Sequence, residues 1–214
     1  MSRFRLTTCS LRHLGSGNNN GTGRAPLPTE YGINQSCTFN SNDPCQADGH
    51  TGNTSVNIVG SAMSFIAKAQ SDKARFYCNV WLHVSHNKLD PTAEQKAAVS
   101  ARSTQCTTRS LATNQTECAQ LVFVAAQQDA DAQIGRLWKL LGDLDLIEST
   151  VFFFSTDNGP EEQRVYSNAQ GSQGPFRGRK RRYVDSRLLS HVFWIRLATW
   201  PVHNHQNYRL VMLS

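Results

Sequence analysis

The stretch VFFFSTDNGP, from Val151 to Pro160, decides the fold of this chain, because four large apolar residues run directly into a polar Asp-Asn-Gly corner. A run of Val and Phe that is bounded by turn-forming residues predicts a buried β-strand. The strand leads into Asp157 and Asn158, whose carboxylate and amide oxygens suit a hard cation such as Ca²⁺ or Mg²⁺. An ordinary Asx-type turn after a strand is the alternative interpretation of the same tripeptide.

A second strand and two helices precede this segment. The stretch Arg75–Val84 (RFYCNVWLHV) is apolar enough to predict a buried strand. Apolar residues recur at helical spacing in Ser55–Gln70 and in Cys118–Leu141, which predicts two amphipathic helices, and Gly142 is the expected stop of the second. The residues that share a helical face are Ile58, Ala62, Phe65, Ile66 and Ala69 in the first helix and Ala130, Ile134, Leu137, Trp138 and Leu141 in the second.

The sequence between these elements is polar. Residues 16–54 are rich in Gly, Asn, Ser and Thr, which favours turns and irregular structure, and residues 90–116 are expected to form a long surface excursion. The chain therefore reads helix, strand, long loop, helix and strand, and no internal repeat is visible. This order predicts the α/β class, with a sheet covered by helices.

Chemically reactive side chains stand at the ends of both predicted strands. The first strand ends in His83 and His86, and the second ends in Asp157 and Asn158. Binding sites of open α/β sheets lie outside the carboxyl ends of the strands, so the sequence predicts a site at this edge. The two histidines suit a general acid or an anion ligand, whereas a zinc pair lacks a third ligand at suitable spacing. For His83, a purely structural role is an equal alternative.

A dense group of cations follows the Asp-Asn-Gly corner. The chain has a net charge of +6 and a pI of about 9.2. Much of that charge comes from one short segment, which contains Arg177, Arg179, Lys180, Arg181 and Arg182. A lysine that a glycine-containing loop presents binds a small tetrahedral anion as a point charge. A nucleic-acid patch and a solvated loop are the alternatives, although no aromatic residues are interleaved with the cations.

Cysteines and short motifs indicate the compartment. The chain has six cysteines and no C-x-x-C metal spacing, and N-x-[S/T] sequons begin at Asn20, Asn34, Asn53 and Asn114. An even cysteine count and sequons in loop-like sequence favour a secreted or lysosomal setting. No apolar run approaches the roughly 20 residues of a membrane span. The amino terminus also lacks the apolar centre of a secretion signal, so an amino-terminal part of the natural protein is expected to be absent here.

Several motifs in a fixed order carry a resemblance to a known family. They are HLG (13–15), PTEYG (28–32), LHVSHNKLDP (82–91), DADAQIGRLWKLLGDLDLIESTVFFFSTDNGPE (129–161) and GPFRGRK (174–180). In this order and spacing they resemble the type I sulfatases, the arylsulfatase-like branch of the alkaline phosphatase superfamily. The similarity covers residues 4–180 and is strongest over 61–180.

The resemblance implies a role for five residues. Asp157 and Asn158 match the pair that ligates a single Ca²⁺, or Mg²⁺, in sulfatases. His86 matches the histidine that contacts the sulfate ester and protonates the leaving group, and Lys180 matches the loop lysine that touches the ester oxygens. His13 matches the histidine that assists turnover of the covalent sulfate intermediate. The implied substrate is an aryl, glycan or lipid sulfate ester.

Departures from the family pattern limit what the resemblance implies. The chain contains no C/S-x-P-S/A-R motif, the source of the family's formylglycine nucleophile, and it lacks the Asp-Asp pair that completes the metal site. The family's sulfate-binding lysine is replaced by Leu11, and the resemblance is lost after Lys180.

The resemblance therefore implies a partial alkaline-phosphatase-like sheet with helices on both faces and without its first strand. Residues 1–182 are expected to be a partial catalytic domain and residues 183–214 an unassigned tail. The expected function is that of a calcium-dependent sulfuric ester hydrolase, in an incomplete chain without turnover. The alternatives are a non-catalytic relative that binds sulfated glycans and, third, a nucleic-acid binder acting through Arg177–Arg182.

Overall fold

The computed structural model describes residues 6–13, 32–39, 54–84, 89–100, 119–155, 159–161, 170–172, 174, 179–180, 193–196 and 209–213. The strands are β1 (Leu6–His13), β2 (Gln35–Phe39), β3 (Arg75–Trp81), β4 (Thr150–Phe154), β5 (Phe193–Arg196) and β6 (Arg209–Leu213). The helices are α1 (Thr54–Ser71), α2 (Ala93–Ser100) and α3 (Ala119–Asp143), and a short 3-10 turn over Ile147–Ser149 leads into β4.

The strands form one six-stranded sheet in the order β2-β1-β3-β6-β4-β5. Neighbouring strands from β2 to β4 are parallel, and β5 pairs antiparallel with β4 at the edge. Because parallel strands run in one direction, the carboxyl ends of β1, β3, β6 and β4 lie along one edge of the sheet, which we call the site edge. The α/β class that the sequence predicts is thus observed.

The core lies between one face of the sheet and the helices α1 and α3. The predicted apolar face of α1 is buried, and Phe65 of this helix meets Phe76 of β3 edge to face with ring centroids 6.3 Å apart. Trp138 of α3 makes the same kind of contact with Phe152 of β4, at 5.5 Å. The fully buried members of this core include Ile58, Ile66, Phe76, Cys78, Val80, Leu137, Leu141, Phe152 and Val211.

Both long helices end in the same type of cap. In α1, the backbone N–H of Ala74 donates to the carbonyl of Ala69 at 2.8 Å, and Lys73 has a left-handed φ of 52°. In α3, the corresponding bond joins Leu146 to Leu141 at 2.8 Å, and Asp145 has a φ of 54°. A bond of this kind next to a left-handed residue is typical of the Schellman motif at a helix end. The predicted stop at Gly142 is therefore displaced, since the left-handed position that ends the helix belongs to Asp145.

The helix α2 falls within residues 90–116, where the sequence predicts only a surface excursion, so that prediction is wrong for residues 93–100. A capping box begins α2: the N–H of Thr92 donates to Gln95 Oε1 at 2.7 Å, and the N–H of Gln95 donates to Thr92 Oγ1 at 3.2 Å. The backbone N–H of Glu94 and the Thr92 hydroxyl lower the pKa of the Glu94 carboxyl. Val99 is buried, and α2 packs on α3. Local capping and one apolar contact stabilise this short helix, and neither produces a long periodic pattern.

The centre of the sheet is built from the end of the chain. The strand β6 lies between β3 and β4, and Val211 is fully buried with Cys78 and Phe152 as its register neighbours. After Arg209 its sequence LVML is a short continuous apolar run, which suits a strand in the interior of a parallel sheet. Two strands from residues 183–214 thus join the sheet, and the expectation that the family's first strand is missing stays a prediction. The boundary at residue 182 stays a prediction.

The opposite face of β3 is more polar than the core face. Asn79 is buried there and its Oδ1 makes no hydrogen bond, while burial raises the pKa of the neighbouring Tyr77 hydroxyl. Both α1 and α3 pack against the core face of the sheet. The cover of both faces by helices therefore stays a prediction.

In the described part of the chain, no helix combines the length and the apolarity needed to cross a membrane.

Candidate functional site

The topology brings the chemically reactive segments to the site edge. His13 is the last residue of β1, and the pairing of Arg12 with Trp81 places the ends of β1 and β3 side by side. The strand β4 ends at Phe154, three residues before Asp157. Because β6 separates β3 from β4, the axes of these two strands lie about 10 Å apart. A small ligand can therefore bridge the segments that leave β3 and β4.

Of the two histidines after β3, the structure describes His83 but not His86. His83 is 7% exposed and interacts with its surroundings, which favours the structural role among the two alternatives. His86 lies outside the described residues, so its role as general acid and sulfate ligand stays a prediction. The same holds for the side chain of His13, of which only the backbone position is described.

A small apolar cluster anchors the segment that contains His86. Val84 and Leu89, which flank residues 85–88, pack against Val122, Phe123 and Ala126 in the first turns of α3. Both ends of the four-residue segment are therefore held against the same helix.

The cationic segment returns to the corner after β4. The backbone N–H of Lys180 donates to the carbonyl of Pro160 at 3.0 Å, and Lys180 is half-buried. Pro160 is only two residues beyond Asn158. Asp157 and Asn158 lie outside the described residues, but their neighbours Gly159 and Pro160 are described. The structure therefore places the backbone of Lys180 beside Pro160, while its role in binding sulfate stays a prediction.

Glu161 is a residue of this site that the sequence reasoning missed. It is 4% exposed, directly follows Pro160 and interacts with its surroundings. Carboxylates are rarely buried in this way unless they are paired. The sequence signal was the pair Glu161-Glu162 after Asn-Gly-Pro, which by itself does not indicate burial. The buried acid and Lys180 thus flank the same carbonyl group.

A tight contact holds the segment after β4 against α3. A Cβ atom added to Gly171 would lie 2.9 Å from Pro160 Cβ and 3.5 Å from Phe123 Cζ. The absence of a side chain at Gly171 therefore permits the close approach of Pro160, on which the position of Lys180 depends.

We expect Gly171→Ala to destabilise the chain by about 1–3 kcal/mol, because the proline ring is rigid and must shift. The Lys180 amide should then exchange its hydrogen roughly tenfold faster, since its bond to Pro160 is strained. The matched control is Gly135→Ala in α3, where nothing lies within 4 Å of the added Cβ. That variant should gain up to about 1 kcal/mol from helix propensity. Denaturant unfolding and amide exchange measure both effects, and equal behaviour of the two variants contradicts the packing described.

The predicted metal site is inferred from the type of its donor atoms. In the residues that the structure describes, no group of three or more His, Cys, Asp or Glu side chains is placed to hold a metal ion. The predicted ligands Asp157 and Asn158 supply only oxygen donors, and this donor set fits Ca²⁺ or Mg²⁺. Because Ca²⁺ takes 6–8 oxygens, a Ca²⁺ site that includes this pair would need further ligands.

Comparison with known proteins gives a sequence match and several fold matches. Human arylsulfatase A is 33% identical over 81 residues, which make up 38% of this chain and 15% of arylsulfatase A. The crystal structure of Ps i-CgsB has a TM-score of 0.58 at 14% identity, over 95% of this chain and 46% of that one. Its complex with k-i-k-neocarrahexaose gives the same TM-score and identity over 96% of this chain. No protein-family model matches the chain.

These matches differ in what they show. The likeness to Ps i-CgsB shows a shared fold, and the arylsulfatase A match adds sequence similarity over part of the chain. Together they support a sulfatase-like relationship. The matched regions span less than half the length of arylsulfatase A and of Ps i-CgsB.

Proposed function

We propose that this chain carries the sulfate-binding part of a calcium-dependent, sulfatase-type sulfuric ester hydrolase. The observation that carries the proposal is the hydrogen bond from the Lys180 N–H to the Pro160 carbonyl, at 3.0 Å. Because Pro160 is two residues beyond Asn158, this bond supports a site in which Lys180 and a cation held by Asp157 and Asn158 act on one anion. The partial match to arylsulfatase A supports the choice of a sulfate ester as that anion.

Each proposed residue has a distinct chemical task. Asp157 and Asn158 hold the cation, which supplies positive charge to the ester oxygens when it is bound. The Lys180 ammonium group binds the same oxygens as a point charge. If a nucleophile were present, His86 would hold the proton that the leaving alcohol takes up, and His13 would assist the later step of turnover. Preorganised charge of this kind is the largest contribution to many such reactions.

The sequence does not contain the motif that supplies the nucleophile of sulfatases. The formylglycine of sulfatases requires C/S-x-P-S/A-R, and Cys9 in CSLRH lacks both the proline and the arginine of that motif. We therefore propose that this chain binds sulfate esters without turning them over. The purified chain should release no product from a chromogenic aryl sulfate with Ca²⁺ beyond a His86→Ala control. Turnover clearly above that control overturns the proposal.

A non-catalytic role in binding sulfated glycans is the second candidate. Ps i-CgsB shares the fold and has been solved with a neocarrahexaose, an oligosaccharide of the carrageenans, which are sulfated galactans. Under this alternative the affinity for a sulfated oligosaccharide is itself the function. Measurable binding that depends on Lys180 supports it, and a chain that binds no sulfated oligosaccharide excludes it.

The third candidate is a nucleic-acid binder that acts through Arg177–Arg182. It predicts DNA or RNA binding that weakens steeply as salt increases, because each neutralised phosphate releases counterions. Absent binding, or binding without a salt slope, eliminates it.

The proposal also assigns the chain to a secreted or lysosomal compartment. Cys78 is disulfide-bonded, and disulfides persist in oxidising compartments. Asn34 begins an N-x-S sequon and is exposed just before the edge strand β2. We therefore propose a glycan at Asn34 in the chain made by eukaryotic cells. Mass spectrometry before and after enzymatic deglycosylation tests it, and an unmodified Asn34 peptide from secreted protein contradicts it.

A further inference from the structure

The sheet contains a disulfide-bonded cysteine whose partner the strand register identifies. Cys78 lies on β3, is fully buried, and belongs to the core face that packs against α1 and α3. Its register neighbours are Cys9 on β1 and Val211 on β6. Directly paired residues of neighbouring strands present the same face of a sheet. The backbone therefore places Cys9 on the core face, directly beside Cys78.

The geometry of disulfides excludes Cys37, the other cysteine that lies on a described strand. A disulfide joins residues whose Cα atoms lie within about 7 Å, and adjacent strands are about 4.8 Å apart. Cys37 lies on β2, two strands away from β3, and it pairs with Leu11 instead of Cys9. Its Cα is therefore at least about 10 Å from that of Cys78. Of the cysteines that the structure describes, Cys9 is the one within reach.

We propose that Cys9 and Cys78 form a disulfide that joins β1 to β3 in the core. Formation removes two electrons and two protons from the two thiols and transfers them to a protein or glutathione disulfide, which becomes two thiols. The bond closes a loop of about 70 residues, so it restricts the unfolded chain strongly. It also holds the strand that ends at His13 in register with the strand that precedes His83 and His86. That last consequence rests on the proposed function, whereas the bond itself does not.

Peptide mapping of the native chain without reductant tests the bond directly. Trypsin should release Leu6–Arg12 and Phe76–Lys88, each of which contains one cysteine. We expect these two peptides to be linked, and to separate after reduction. A Phe76–Lys88 peptide linked to Cys37, Cys45, Cys106 or Cys118, or carrying a free thiol, overturns the proposal.

A double-mutant cycle tests the contribution of the bond to stability. Cys9→Ala and Cys78→Ala should each lower the Tm by roughly 10 °C, because each removes the same loop closure. The double variant should show no further loss beyond that of Cys78→Ala, since the bond is already absent. If the Tm loss of the double variant equals the sum of the losses of the two single variants, the two cysteines do not share a bond. If a variant does not fold, peptide mapping of the unmodified chain still decides the question independently of the proposed function.

Discussion

Val211→Asp is expected to leave the chain without a cooperative unfolding transition. Val211 is fully buried at the centre of the sheet, between Cys78 of β3 and Phe152 of β4. A carboxylate at this position has no partner among the apolar groups of the core, and burying it costs several kcal/mol. The free energy of unfolding of a whole domain is only about 5–15 kcal/mol. The loss also removes the strand that connects the two halves of the sheet.

Two control variants separate this effect from a general loss of apolar surface. Val124 lies on α3 and is 37% exposed, so Val124→Asp should change the free energy of unfolding by no more than about 0.5 kcal/mol. Val211→Ala, which creates a cavity without a charge, should cost about 2 kcal/mol. Circular dichroism during thermal and denaturant unfolding measures all three. A Val211→Asp chain that melts like Val124→Asp shows that β6 is not the central strand.

Lys180→Ala is expected to weaken the binding of a sulfated oligosaccharide about 10- to 100-fold. A charge-assisted hydrogen bond contributes about 1.5–3 kcal/mol, and each 1.4 kcal/mol corresponds to a factor of ten in Kd. The backbone of Lys180 is held by the Pro160 carbonyl, so its side chain is presented from a defined position. The neighbouring Arg179 is half-buried in the same turn and provides the matched control. Arg179→Ala removes the same charge and should weaken binding only about twofold, through general attraction.

Calorimetric titration with a neocarrahexaose measures these affinities, and its desulfated form serves as the ligand control. Binding should fall when Ca²⁺ is chelated, and Asp157→Ala should lose this response because a metal ligand is gone. Equal losses in Lys180→Ala and Arg179→Ala contradict a specific sulfate contact. Binding of a DNA duplex with comparable affinity and a steep salt slope favours the nucleic-acid alternative instead.

Long apolar patterns made the helices α1 and α3 and the strands β3 and β4 predictable. The helix faces read from the sequence are the ones that pack in the core, because burial requires apolar residues at the helical repeat. The left-handed residues Lys73 and Asp145 were not predictable in the same way. Neither is a glycine, so the usual sequence signal of a helix end is missing at both.

Short elements escaped prediction because their stability comes from contacts that are distant in sequence. The strands β1 and β2 contain more polar than apolar residues, and they are strands because β1 pairs with β3 and β2 pairs with β1. The helix α2 depends on its capping box and on α3. Local sequence contains little of that information, since strand pairing and packing against distant segments override weak local preferences.

The sequence by itself determined the α/β class, the main core and the chemistry of each candidate group, including the oxygen donors of Asp157 and Asn158 and the charge of Lys180. These follow from residue type and local periodicity. Only the tertiary structure decided that the strand from residues 209–213 fills the centre of the sheet, that Glu161 is buried, and that Lys180 returns to the corner after β4. The physical reason is that each depends on pairing between segments far apart along the chain, and no local pattern records which partner a strand or loop will meet.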